Sequence, residues 1–160
     1  MYKRYIVGLA ILVSTVLSDQ LSKMYVLMLY ELHGIIEISP FCSLVQVWNS
    51  GMSFGMFGSY EKSNVVFIVI TTLAVCVLMF LFFRARRMSS AISLCLISGG
   101  TLGNLIDRFL FGAVHDFIAL HIGELYWPAF NAADVYIVLG VGLFLLQKAD
   151  TYKSRFSIEN

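Results

Sequence analysis

Two long apolar runs without a charged residue constrain this chain more than any other feature. Val65–Phe83 and Met88–Ile106 are each 19 residues long and contain no Asp, Glu, Lys or Arg. Because a hydrocarbon core about 30 Å thick takes roughly 20 helical residues, each run is long enough to cross a bilayer. Of the 160 residues, 59% are hydrophobic and only 13% are charged, against roughly a quarter in soluble domains. The sequence therefore predicts an integral membrane protein.

Two further apolar segments complete a set of four predicted spans. The first follows Lys3 and Arg4 and has the length of a signal-peptide core, but residues 14–18 offer no clear cleavage site and more apolar residues follow. We interpret it as a retained helix. The spans are predicted at about residues 5–24, 65–83, 88–108 and 130–147. The fold class is an all-α membrane protein, a four-transmembrane-helix bundle forming a single domain over residues 1–160.

Basic residues predict the orientation of these spans. Eight of the 11 lie on the side that holds both termini, namely Lys3, Arg4, Arg84, Arg86, Arg87, Lys148, Lys153 and Arg155. Since Lys and Arg are enriched in cytoplasmic loops, both termini are predicted to be cytoplasmic. Eight of the 10 acids lie on the opposite, extracytoplasmic side: Asp19, Glu31, Glu37, Glu61, Asp107, Asp116, Glu124 and Asp134.

The two outer segments differ in their predicted structure. Residues 24–64 include Leu44–Trp48, whose β-branched and aromatic residues favour short strands lying on the membrane surface. Residues 109–130 are apolar, with Tyr126 and Trp127 as expected interfacial anchors. The bundle is therefore predicted to carry a small extracytoplasmic segment that contains β-strands.

Some polar residues lie at membrane depth, where such residues are rare. Each of them is therefore a candidate for a functional site. Asp19 and Lys23 are four apart, so on a helix they share a face. They form either a simple ion pair or a face that holds a ligand or an outer loop. Asn49–Gly55 is typical of a turn between two strands.

The segment Gly99–Arg108 is harder to explain by packing alone. Gly99 and Gly103 form a GxxxG, which lets a neighbouring helix approach closely. Asn104 and Arg108 share a face with Gly100. Close helix packing explains the glycines but not why an amide and a guanidinium project from that face.

Two aspartates near the outer face suggest acid/base chemistry. Asp116 and Asp134 are flanked by apolar residues and have no cationic neighbour in sequence. If the bundle brings them together, burial and like-charge repulsion raise one pKa. One carboxylate then holds a proton while the other activates water, as in aspartic proteases. Asn131 has a plainer role available, as N-cap of the last helix.

Other chemistries find less support. His33, His115 and His121 are scattered and there is no HExxH, so no metal and no cofactor are predicted. His115 and Asp116 adjoin, but neighbours on a strand point to opposite faces, and no GxSxG frames a serine. No basic patch points to nucleic acid. Hydrolysis by paired carboxylates is the best enzyme hypothesis.

Five motifs in order now carry a resemblance. The chain resembles the bacterial lipoprotein signal peptidases, also called signal peptidase II, over nearly its whole length. The motifs are Asp19-Gln20-x-x-Lys23, Asn49-x-Gly51-x-Ser53-Phe54-Gly55, Gly99-Gly100-x-x-Gly103-Asn104-x-x-Asp107-Arg108, Asp116-Phe117 and Phe130-Asn131-x-Ala133-Asp134.

The resemblance implies an aspartic endopeptidase of the bacterial cytoplasmic membrane. Such an enzyme removes the signal peptide from diacylglyceryl-modified prolipoproteins on the amino side of the lipidated cysteine. It needs no metal, is the target of globomycin, and has the prolipoprotein and membrane lipid as partners. We expect it to function as a monomer.

By motif position, the resemblance makes Asp116 and Asp134 the catalytic pair. It also assigns a set of substrate-binding or supporting residues: Asp19, Lys23, Asn49, Gly51, Gly100, Asn104, Asp107, Arg108 and Asn131. This chain departs from the family pattern at His115, where a small aliphatic residue is usual, and at Met52-Ser53, where paired alanines are commoner.

Two other classes of function remain open on the sequence. A small transporter or channel subunit would use intramembrane aspartates to relay ions, but it should carry them near mid-span. A non-catalytic assembly subunit would pack through its GxxxG and would tolerate Asp→Asn changes at residues 116 and 134.

Overall fold

The computed structural model describes residues 2–51 and 60–156. Four long helices frame it: α1 (Tyr2–His33), α2 (Tyr60–Arg84), α3 (Met88–Phe111) and α4 (Ala132–Phe156). Four strands lie between them in sequence: β1 (Ile36–Ser39), β2 (Cys42–Asn49), β3 (Val114–Ile122) and β4 (Leu125–Tyr126). Residues 52–55 of the second motif, with Met52-Ser53, lie outside the described residues.

Each of the four helices contains a stretch long and apolar enough to cross a membrane. These stretches are Tyr2–His33, Asn64–Arg84, Met88–Phe111 and Ala132–Ala149. The predicted four-span architecture is therefore confirmed. The first helix is longer than the predicted span of residues 5–24, since α1 continues through an apolar stretch to His33.

Close approach of three helices places the polar residues. The glycines of α3 face α1: a Cβ at Gly99 would collide with Thr15, and a Cβ at Gly103 would collide with the carboxylate of Asp19. The GxxxG thus lets α1 pack directly on α3, as the sequence indicates. Gly100 of α3 faces α4 instead, since a Cβ there would collide with the carbonyl oxygen of Ala133 on α4.

The strands form one antiparallel sheet in the order β1-β2-β3-β4. Strands in residues 24–64 are confirmed, and the longest strand among the described residues, β3, lies in the segment for which we predicted only apolar character and interfacial anchors. Residues 114–117 are all buried, so the alternation that identifies a half-buried strand is absent there.

A helix end joins the sheet to the bundle. α3 stops at Phe111 because Gly112 adopts a left-handed conformation, with φ 76°, and its N–H donates to the carbonyl of Arg108. β3 begins two residues later. In the sheet, Val47 of β2 pairs with Asp116 of β3. The start of β3 therefore lies at the end of the bundle where α3 stops.

Candidate active site

Asn131 caps α4 and fixes Asp134 at its first turn. The N–H of Asp134 donates to Asn131 Oδ1 at 3.1 Å, and the N–H of Asn131 donates to Asp134 Oδ2 at 3.1 Å. This reciprocal pair is a capping box, in which the backbone and both side chains hold each other. The N-cap predicted at Asn131 is confirmed by these bonds.

The same asparagine side chain reaches the other aspartate. Asn131 Nδ2 donates to Asp116 Oδ1 at 2.6 Å, and Asn49 Nδ2 donates to Asp116 Oδ2 at 2.9 Å. The fold thus brings Asp116 and Asp134 to a single amide, although they lie on different elements. Asn49 and Gly51 form the expected turn, since the Gly51 N–H donates to Asn49 Oδ1 at 2.8 Å and Gly51 has φ 75°.

The environment of Asp116 favours its protonated form. Its side chain is buried, and burial raises its pKa to about 6, against the opposing effect of the hydrogen bond from Asn49. The charge of Asp134 raises the pKa further, while the bond from Asn131 and the charge of Lys23 lower it. Desolvation prevails because a buried carboxylate loses the water that stabilises its charge.

Asn104 connects the aspartates to a cation. Its Nδ2 donates to Asp134 Oδ1 at 3.0 Å, while its Oδ1 accepts from Asn131 Nδ2 at 3.1 Å and from Lys23 Nζ at 3.0 Å. Its projection from the packed face of α3, which packing alone left unexplained, is therefore accounted for by this network.

Lys23 joins two buried carboxylates below the site. Its Nζ lies 2.8 Å from Asp19 Oδ2 and 2.8 Å from Asp107 Oδ2, and all three side chains are buried. The ion pair expected between Asp19 and Lys23 is present. Buried charges persist only when paired and hydrogen-bonded, so the group acts as one unit, here called the ion cluster (Asp19, Lys23 and Asp107).

The ion cluster also binds the backbone beside each aspartate of the pair. Asp19 Oδ1 accepts from the N–H of Ala133 at 2.9 Å, and Asp107 Oδ2 accepts from the N–H of His115 at 3.1 Å. The sequence left open whether the Asp19 face holds a ligand or an outer loop. In the structure, Asp19 holds the backbone at the start of α4.

Gln20 is a supporting residue that the sequence analysis did not select. Its Nε2 donates to Asp107 Oδ1 at 3.0 Å and to the carbonyl of Gly103 at 3.2 Å, and it lies 3.2 Å from Asp19 Oδ2. The only signal for it in the sequence is its place inside the first motif, beside Asp19.

Arg108 lies beside this network on α3. Asp116, Asp107 and Asp134 all attract its guanidinium, which stacks over the ring of Phe67 at 5.2 Å. It supplies positive charge close to the aspartate pair.

His115 packs against the sheet beside the site. Its ring stacks on Trp48 at 5.1 Å, and burial lowers its pKa, against the opposing attraction of Asp107. It is therefore a neutral packing residue at neutral pH. This agrees with its rejection as a triad member, because side chains adjacent on a strand point to opposite faces.

The described residues offer no evident metal centre. Within residues 2–51 and 60–156, no group of three or more His, Cys, Asp or Glu side chains is arranged to hold a metal ion. The position between the buried carboxylates of Asp19 and Asp107 is taken by the ammonium of Lys23. What the site offers chemically is a pair of carboxyl groups, one with a raised pKa, oriented by amide side chains.

Known proteins share this architecture. A family model described as signal peptidase (SPase) II matches residues 11–149. The lipoprotein signal peptidase of Anaplasma phagocytophilum (strain HZ) is 45% identical over 143 residues, 89% of this chain and 92% of that protein. That of Anaplasma marginale (strain Florida) is 48% identical over 143 residues, 89% of this chain and 84% of that protein.

A solved structure agrees with the sequence relatives. It is described as a bacterial membrane enzyme structure by the in meso method at 2.3 Å resolution, and it superposes with a TM-score of 0.78 at 27% identity, covering 92% of this chain and 90% of that one. Family match, relatives and fold all span most of the chain. This multi-pass membrane protein therefore belongs to the signal peptidase II family.

Proposed function

We propose that this protein is a membrane aspartic endopeptidase that removes signal peptides from diacylglyceryl-modified prolipoproteins, on the amino side of the lipidated cysteine. One observation supports the two-aspartate chemistry above all: Asn131 binds Asp116 through its amide and Asp134 through the capping box. One residue thus bonds both carboxyl groups, Asp116 from its side-chain amide and Asp134 from its backbone N–H, which places an acid and a base beside each other as general acid–base hydrolysis requires.

Asp134 acts as the base. It accepts hydrogen bonds from Asn104 Nδ2 and the Asn131 N–H, and it lies in the first turn of α4. Both donors and the positive end of the helix dipole stabilise a negative charge there. Asp134 takes a proton from water, and the resulting hydroxide attacks the scissile carbonyl carbon.

Asp116 acts as the acid. Its raised pKa lets it hold a proton, which it donates to the carbonyl oxygen as the tetrahedral intermediate forms. When the intermediate collapses, the C–N bond breaks, the leaving nitrogen takes a proton from Asp134, and one hydroxyl of the intermediate returns its proton to Asp116. No covalent bond to the enzyme is formed.

The position of the site suits a lipidated substrate. The pair lies where α3 ends and α4 begins, and the apolar side chains of Phe109, Leu110 and Phe111 at that end of α3 are exposed. Acyl chains dissolved in the outer leaflet would present the adjoining peptide bond at this level. By the distribution of basic residues, the termini are cytoplasmic and the site faces outward from the bacterial inner membrane.

The test is cleavage of a lipidated prolipoprotein by the purified protein in detergent–lipid micelles. Asp116→Asn and Asp134→Asn should each lower kcat by about 10²- to 10⁴-fold, since each removes one of the two groups that move protons. Glu124→Gln, an exposed loop change, is the matched control and should retain full activity.

The outcomes separate the rival functions. Unimpaired cleavage by either Asp→Asn variant would contradict the aspartate pair and would favour a non-catalytic subunit. Absence of cleavage by the unmodified protein would contradict the peptidase function itself.

A further inference from the structure

Two buried polar atoms on the α2 side of the site have no hydrogen-bond partner among the residues the structure describes. They are Asn64 Oδ1, an acceptor, and Arg108 Nε, a donor. Buried polar groups are nearly always paired, and pairing matters more at membrane depth, where water is scarce. An unpaired donor beside an unpaired acceptor calls for a ligand that carries both.

The orientation of the Asn64 amide is fixed by its neighbour. Asn64 Nδ2 donates to the carbonyl of Arg108 at 3.2 Å. Turning the amide over would place its oxygen against that carbonyl oxygen, so Oδ1 must point away from it. Asn64 is thus held as an acceptor aimed away from the backbone of α3.

The two side chains lie where α2 packs on α3. The Arg108 guanidinium stacks over Phe67 at 5.2 Å, and Phe67 lies three residues after Asn64 on α2, on the same helix face. The hydrogen bond that the structure describes for the Arg108 side chain, from Nη1 to the carbonyl of Asn104, is long at 3.5 Å. Nε itself has no hydrogen-bond partner among the described residues.

Phe67 links this contact between α2 and α3 to the turn beside Asp116. A Cβ added at Gly51 would come within 2.6 Å of the Phe67 ring, so the turn of Gly51 packs directly on Phe67. That turn is bonded to Asn49, which in turn binds Asp116. Asn64 and Arg108 are therefore connected to Asp116 through Phe67 and the turn at Asn49 and Gly51.

We propose that Asn64 Oδ1 and Arg108 Nε bind the main-chain N–H and C=O of one residue in an extended substrate. In an extended chain, both groups of a residue point to the same side, as in an antiparallel sheet pair. An ester or a phosphate offers acceptors only and would leave Asn64 unpaired. The assignment rests on the proposed peptidase function and makes Asn64, which the motifs do not include, a substrate-positioning residue.

The experiment combines a backbone change in the substrate with a change in the enzyme. A set of lipidated peptide substrates carries an ester oxygen in place of one amide N–H at a time, at each position near the scissile bond. The unmodified protein and Asn64→Leu are compared by kcat/KM on every substrate. Thr72→Val, an exposed position on the same helix, is the matched control.

At one position, the effect of the ester in the substrate and the effect of Asn64→Leu in the enzyme should not add. There the ester lowers kcat/KM of the unmodified protein about 3- to 10-fold, the effect of one neutral hydrogen bond. Asn64→Leu lowers kcat/KM on the all-amide substrate by a similar factor, mainly through a higher KM. On that one ester, kcat/KM of Asn64→Leu is no lower than on the all-amide substrate. If Asn64 had only a structural role, Asn64→Leu would lower kcat/KM equally for all substrates, and each ester would still lower kcat/KM as it does in the unmodified protein.

Arg108→Lys provides the second arm. It keeps the positive charge but removes the Nε donor, so we expect a higher KM with an unchanged pH profile. Ester losses that are the same in Asn64→Leu as in the unmodified protein at every position would overturn this assignment and leave the proposed function intact. Failure of the unmodified protein to cleave the all-amide substrate would overturn both.

Discussion

Asp107 Oδ2 accepts a hydrogen bond from the backbone N–H of His115 at 3.1 Å. His115 immediately precedes Asp116, so the bond fixes the strand at the point where the proposed acid projects. Asp19 makes the matching bond to the N–H of Ala133 at 2.9 Å, immediately before Asp134. The ion cluster, with Lys23 between its carboxylates, therefore positions both aspartates through the backbone.

Removal of the central cation should destabilise the fold. Lys23→Met leaves Asp19 and Asp107 buried without their ammonium partner, and breaking one side of a buried ion pair costs about 3–5 kcal/mol. Thermal unfolding in detergent micelles measures the loss, with the exposed Lys3→Met as control. A change below about 1 kcal/mol would contradict a structural role for the cluster.

A methyl group at Gly103 should separate α1 from α3. Its Cβ would collide with the Asp19 carboxylate, so Gly103→Ala should lower stability and displace the bond to Ala133. Gly142→Ala is the control, because nothing lies within 4 Å of its Cβ position. That helical change should stabilise by up to about 1 kcal/mol. Equal effects of the two alanines on unfolding would refute the close packing.

Stability should depend on pH through Asp116. Its pKa rises from 3.8 to about 6 on folding, so the folded state binds the proton more tightly than the unfolded chain. The unmodified protein should therefore lose stability relative to Asp116→Asn as pH rises from about 4 to about 6, and the difference should stay constant above that. The full effect is at most about 3 kcal/mol. Parallel stability curves for the two proteins over this range would refute a raised pKa.

Activity should decline in the same pH region. Because the mechanism needs a proton on Asp116, kcat/KM should fall about tenfold per pH unit above about pH 6, as the free enzyme loses that proton. Initial rates at low substrate concentration from pH 5 to 8 measure this limb, with Glu124→Gln as control. A rate that climbs steadily through this range would instead assign the acid role elsewhere.

The features that the sequence alone predicted depend on residues that are close together along the chain. The four spans follow from hydropathy, which depends only on consecutive residues. The N-cap at Asn131 and the ion pair of Asp19 with Lys23 join residues within one helical turn, so spacing alone was enough. The choice of Asp116 and Asp134 depended on a resemblance to known motifs, since their sequence separation carries no geometry.

Only the tertiary structure decided which distant groups meet. Gln20 binds Asp107 across 87 positions of sequence, and Asn64 binds the Arg108 carbonyl across 44, and neither pairing leaves a periodic signal. β3 escaped prediction because burial on both faces removes its alternation. Gln20 meets Asp107 because Gly99 and Gly103 let α1 pack closely on α3, and Asn64 meets Arg108 because α2 packs on another face of α3; composition along the chain does not record which helix faces come together.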